Sequence, residues 1–176
     1  MSHYGVLLRG MNLGKRRLKN EELLACFQEL GYPDAKAFLA SGNVVVQTTQ
    51  KPQALEKKVE QGLERLLDYP VPTFIRSASE LRQIAERNPF GNRGQQRGKV
   101  QVAFLADAPS AAQKKQALAL DSAADWLALE GRELYWWPQG GISESELDLK
   151  ALDRLLGTMT IRTQTTIQRL VEKLLP

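Results

Sequence analysis

The sequence predicts an α+β protein made of two similar halves. Two observations carry that class. Apolar runs of strand length alternate with stretches whose apolar residues recur at helical spacing, and the order of elements in residues 1–77 is largely repeated in residues 99–176. A third observation, the acid-free and glycine-rich stretch 88–99 (NPFGNRGQQRGK), marks the join between them. With 176 residues and 43% hydrophobic content, the chain can bury a real core.

The elements follow in order. Residues 4–9 are an apolar run of strand length. Asn20 is a suitable N-cap for a helix whose first turn holds Glu21 and Glu22, and Leu23, Cys26, Phe27 and Leu30 then form one apolar stripe that Gly31 stops. Residues 36–39 and 43–48 are strand-like and joined by Ala40, Ser41 and Gly42; Gly42 and Asn43 tolerate a positive φ, so a tight hairpin is expected. Pro52 opens a second helix on Leu55, Val59 and Leu63, and residues 71–76 close the set as a strand. The order βαββαβ is that of a ferredoxin-like unit, an antiparallel sheet with its helices packed on one face. Ser77 and Glu80 have capping-box spacing and begin a short helix that must end before Pro89.

In the second half, residues 100–106 are a strand, Ser110 with Gln113 caps an alanine-rich helix, and Gly131-Arg132 joins two strands as a hairpin. Adjacent Trp136 and Trp137 must face opposite sides of their strand. Leu149, Leu152 and Leu155 define a helix ended by Gly157, and Ile167, Leu170, Val171 and Leu174 define another. The expected order is βαββαα, with the last strand replaced by a helix. The expected limits are a ferredoxin-like subdomain at 1–77, a helix and basic linker at 78–98, and a second α+β subdomain at 99–176.

Charge gives the functional lead. Residues 1–97 carry 15 Lys and Arg against 10 Asp and Glu, whereas residues 98–176 carry 9 against 10. The stretch 7–19 (LLRGMNLGKRRLK) holds Arg9, Lys15, Arg16, Arg17 and Lys19 at a strand-to-helix junction, with no acid in the first twenty residues. Such a junction suits an anion, through cationic side chains and the backbone N–H groups of a helix start. Arg93, Arg97 and Lys99 form a second basic loop.

Other chemistries lack parts. One histidine, His3, and one cysteine leave no hydrolytic triad, His-rich zinc site or disulfide framework, and Cys26 falls in an apolar stripe. Gly10 to Lys15 has three residues between its glycines rather than four, and Arg16 stands where a phosphate loop has Ser or Thr. Glu144, Glu146 and Asp148 precede a helix, where acids favour the dipole. No apolar run is long enough to span a bilayer, so a cytoplasmic protein without metal or cofactor is expected.

LLRGMNLG, SGNVVV, Asn88-Pro89-Phe90 and the region around Gly157 to Leu170 together resemble the bacterial family catalogued as domain of unknown function 1697. The resemblance implies two α+β subdomains and carries over no activity. Where members tend to have Ser-Lys-Leu-Thr, this chain has Ser145-Glu146-Leu147-Asp148. In place of their Arg-Asn-Trp-Asn-Thr it has Arg162-Thr163-Gln164-Thr165-Thr166.

The function expected from the residues is binding of an anion or phosphate, with nucleic acid or a phosphate-bearing small molecule as partner. The candidate residues are Arg9, Asn12, Lys15, Arg16, Arg17, Lys19, Ser41, Asn43, Arg93 and Arg97. The alternatives are an enzyme acting on a small anionic metabolite in a cleft between subdomains, and a protein-interaction module.

Overall fold

The computed structural model describes residues 1–11, 17–91 and 98–175. They form two compact units, Met1–Gln83 with Arg169–Pro176, and Ile84–Gln168.

The first unit holds β1 (Ser2–Leu8), α1 (Asn20–Glu29), β2 (Lys36–Phe38), β3 (Asn43–Thr48), α2 (Pro52–Leu67) and β4 (Thr73–Ser77), and most of α3 (Ala78–Glu86). The four strands make an antiparallel sheet in the order β2-β3-β1-β4. Along β1, Val6 lies opposite Val44 on one side and Ile75 on the other. Tyr4, Val6 and Leu8 share a core with Leu23 and Phe27 of α1 and Leu55, Val59 and Leu63 of α2. Each such side chain, fully buried, contributes about 1.5–3 kcal/mol before the entropy of ordering it.

Helices α1 and α2 therefore cover one face of the sheet, and the other face is buried as well. Leu7, Val45 and Phe74, which point away from the α1–α2 core, are 0%, 4% and 2% exposed. Leu81 of α3 sits over Gly5, where a Cβ would come within 2.5 Å of its Cδ1. The unbroken apolar run of β1 reflects this two-sided burial, since a strand with one wet face alternates.

The second unit holds β5 (Gln101–Leu105), α4 (Ala111–Leu118), β6 (Asp125–Glu130), β7 (Glu133–Pro138), a 3-10 turn at Ile142–Glu144, α5 (Leu149–Leu156) and β8 (Met159–Thr163), with the start of α6 (Gln164–Leu174). Its antiparallel sheet runs β6-β7-β5-β8, the same order as the first. Strand β8 corrects the expected βαββαα order: the last strand is present, and α6 follows it. The strand escapes periodicity because Thr160 and Arg162 are polar yet 4% and 8% exposed, so polarity and burial do not alternate together. Gly157 ends α5 as expected, at φ +84°.

Register makes the two units counterparts. Arg76 of β4 lies opposite Gly5 of β1, and Arg162 of β8 opposite Val102 of β5. Both guanidiniums are buried and donate to the preceding carbonyl, Arg76 to Ile75 O at 2.9 Å and Arg162 to Ile161 O at 2.8 Å. Burial holds the Arg162 pKa down to about 10. Trp136 and Trp137 do face opposite sides. Trp136 is in the core with its Nε1–H donated to Asp125 at 2.6 Å, and Trp137 packs edge-on against Trp126 at 5.5 Å and beside Phe90 at 5.6 Å.

Candidate anion-binding site at the end of the first strand

Two sequence segments that carry the candidate residues meet where β1 ends. The backbone N–H of Leu8 donates to Gly42 O at 2.8 Å, which ties the β1 exit to the β2–β3 hairpin. The next N–H, that of Arg9, donates to Pro72 O at 2.9 Å and prolongs the β1–β4 pairing by one step. Met11 then folds back, 4% exposed, against the hairpin. A Cβ on Gly42 would lie 2.8 Å from Met11 Cγ and 3.1 Å from Leu8 Cβ, and Gly42 has φ +72°, so this position requires glycine twice over.

The hairpin is fixed from inside. Asn43 is fully buried, and its Nδ2 donates to Phe38 O at 3.0 Å and to Ser41 Oγ at 2.7 Å. The left-handed residues of the turn are Leu39 at φ +57° and Gly42, whereas Asn43 already lies in β3, which corrects the expected φ assignment. Ser41 itself is exposed at the hairpin tip, and Arg9 is half-buried at the β1 exit.

Arg17 and Lys19 are exposed on the approach to α1. The N-cap of that helix is Lys19 rather than Asn20, because Lys19 is extended at φ −74° and ψ 156° while Asn20 is already helical. The Glu22 carboxylate accepts the Lys19 backbone N–H at 2.8 Å, and Glu21 adds a second negative charge to the first turn. The helix start thus answers its own dipole, and an external anion here must be held by cationic side chains. Asn12, Lys15, Arg16, Arg93 and Arg97 lie outside the described residues. The structure joins Ser41 to Asn43 directly and ties Leu8, the residue before Arg9, to Gly42, the residue between them. Gly42, Met11 and Pro72 complete that corner; the glycine in Ser-Gly-Asn was the available signal for the first of them.

Other candidates resolve into structural roles. Cys26 is half-buried, and burial first, then Glu29, pushes its thiol up from the usual value, the reverse of an activated nucleophile. Asp148 caps α5 by accepting the Ala151 N–H at 2.9 Å. Ser145 donates to buried Asp125 at 2.6 Å, which anchors the segment before α5. Gln164 donates to Ile84 O at 2.9 Å and Arg87 O at 2.6 Å, closing the end of α3. Among the described residues no cluster of His, Cys, Asp and Glu could hold a metal ion, and no helix is long and apolar enough to cross a membrane.

The family profile described as Protein of unknown function (DUF1697) matches residues 1–135. The chain belongs to that family. The matched range includes the β1 exit, the hairpin and Asn88-Pro89-Phe90, and it ends before residues 145–148 and 162–166. A solved structure described as that of the conserved bacterial protein SP0830 from Streptococcus pneumoniae is similar over 99% of this chain and 98% of its own, with a TM-score of 0.75 and 18% identity. At that identity the likeness shows the fold alone. No curated protein matches the chain.

Proposed function

We propose that this DUF1697 protein binds phosphate groups of a nucleic acid or a nucleotide at the β1 exit, through Arg9, Lys15, Arg16, Arg17 and Lys19 with Ser41 at the rim and Asn43 as the residue that holds Ser41 in place. The observation that supports this reading is the bond from Leu8 N–H to Gly42 O, which ties the residue before Arg9 to the residue after Ser41 at the root of the polycationic stretch.

The second unit serves as an internal control. Its Leu105 N–H donates to Arg132 O at 2.9 Å, the counterpart of the Leu8–Gly42 bond, yet its strand-to-helix connection reads Ala106-Asp107-Ala108-Pro109-Ser110 with no cation. The architecture therefore closes without a basic loop, and the five cations of the first unit answer another need. Counted by unit, Met1–Gln83 with Arg169–Pro176 carries 14 Lys and Arg against 10 Asp and Glu, and Ile84–Gln168 carries 10 against 10. The net charge resides where the site is. The strand orders support a ferredoxin-like reading of each unit, and the single cysteine, which allows no internal disulfide, supports action in the cytoplasm.

Binding of labelled single- and double-stranded oligonucleotides at about 50 and 200 mM salt tests the proposal, with Arg16→Glu/Arg17→Glu as the comparison. With five phosphates neutralised, affinity is expected to fall about 10²–10³-fold across that salt range and to vanish in the double variant. Competition by a free nucleotide triphosphate separates a nucleotide site from a backbone reader. Absence of binding to either class of ligand at the lower salt would sink the reading.

A further inference from the structure

We infer that Arg169, on the last helix, is a phosphate-binding residue of this same site, brought to the β2–β3 hairpin from the far end of the chain; the inference rests on the anion-binding reading above. Arg169 belongs to the first unit, and its guanidinium carbon lies 5.7 Å from the centroid of the Phe38 ring. That distance is within the range of a cation–π contact. Phe38 is the last residue of β2, and its carbonyl is one of the two acceptors that fix Asn43.

The register places the arginine. Phe38, Asn43 and Leu7 lie side by side across β2, β3 and β1, so their side chains share one face of the sheet. Arg9 stands two residues beyond Leu7 on a backbone still paired through its N–H to Pro72, and it has the same parity. Neighbouring strands are about 4.8 Å apart and a strand rises about 3.3 Å per residue, so the backbones of Arg9 and Phe38 are roughly 12 Å apart. Two long cationic side chains from those positions have the reach to hold one anion between them.

The contact suits this role. A guanidinium held over a ring through its charge keeps its N–H fork available, and that fork matches a phosphate bidentately. Arg169 is exposed, and no acid pairs with it among the described residues. A cation whose only purpose was to cover Phe38 would do so less well than an apolar side chain.

The test uses the full chain and a labelled single-stranded oligonucleotide titrated at several salt concentrations, with Arg169→Met, Arg169→Lys and the Arg16→Glu/Arg17→Glu variant alongside. Methionine keeps an unbranched side chain over Phe38 while removing charge and fork. The expected result is about tenfold weaker binding for R169M at about 50 mM salt, a log–log salt slope shallower by about 0.7, and an unchanged urea midpoint. R169K should keep the slope and lose part of the affinity, because it retains the charge without the fork. If R169M binds like wild type while the double variant does not, Arg169 only packs, and the parent reading survives without it. Equal losses in R169M and R169K accompanied by a lowered urea midpoint would also assign it to packing. If wild type binds no oligonucleotide or nucleotide, both readings fall together.

Discussion

Asn43 spends both amide hydrogens inside the hairpin, on Phe38 O and Ser41 Oγ, with no exposure to water. Asn43→Asp would set a buried carboxylate against a carbonyl that it can only repel. A loss of about 2–4 kcal/mol is expected in urea unfolding, larger than for Asn43→Ala, which merely leaves the acceptors unpaired. Gly42→Ala should cost about 1–3 kcal/mol, because a left-handed backbone and contacts with Met11 and Leu8 oppose it together. Gly91→Ala is the control. At φ +61° with nothing within 4 Å, it should cost only the conformational part, about 1 kcal/mol, and a larger loss there would show that crowding is not what distinguishes Gly42. Ser-Gly-Asn was readable as a turn from local propensity. That its asparagine points inward was not, because the identity of the acceptors depends on how β2 pairs with β3.

Elements defined by local chemistry were legible, and those defined by distant partners were not. Ser77 exchanges bonds with Glu80 at the start of α3, and Ser110 with Gln113 at the start of α4, both as their three-residue spacing implies. β8 was hidden because its partner β5 lies more than fifty residues earlier and its buried polar residues break the hydrophobic pattern. On β7, Tyr135 shows a pH consequence of element placement. Burial first, then Glu133 and Glu130, raises its hydroxyl pKa to about 12. Between the ordinary value of 10 and that value the folded protein keeps a proton that the unfolded chain releases, so stability from this group is complete below pH 10 and is lost as pH rises toward 12. Wild type should therefore lose roughly 1–2 kcal/mol relative to Tyr135→Phe over that interval, measured by urea midpoints at pH 9.5 to 12. Parallel curves for the two proteins would contradict the assignment.

At the scale of the molecule, the sequence showed two halves and a basic first half, but not which core takes the final residues. Nothing local in residues 169–175 distinguishes a helix end that serves its own half from one that serves the other. Leu170 is fully buried and belongs to the first unit. Leu170→Ala should cost about 2–4 kcal/mol and speed hydrogen exchange along β1 and β3, more than a hundred residues away in sequence. Faster exchange confined to β5 and β7 would assign Leu170 to the wrong core. The candidate site was legible as a composition, a run of cations at a strand exit. Its assembly was not, since the meeting of residues 9–11 with residues 41–43 is set by sheet register. The split membership of the first unit also bears on how the protein is made. A ribosome that has released Gln83 must still deliver the 85 residues from Ile84 to Gln168 before Arg169 exists. At about 5–20 residues per second that interval is roughly 4–17 s. The second unit is contiguous and can close while synthesis continues, whereas the first waits for its last helical turns, so the unit whose residues are made first is completed last.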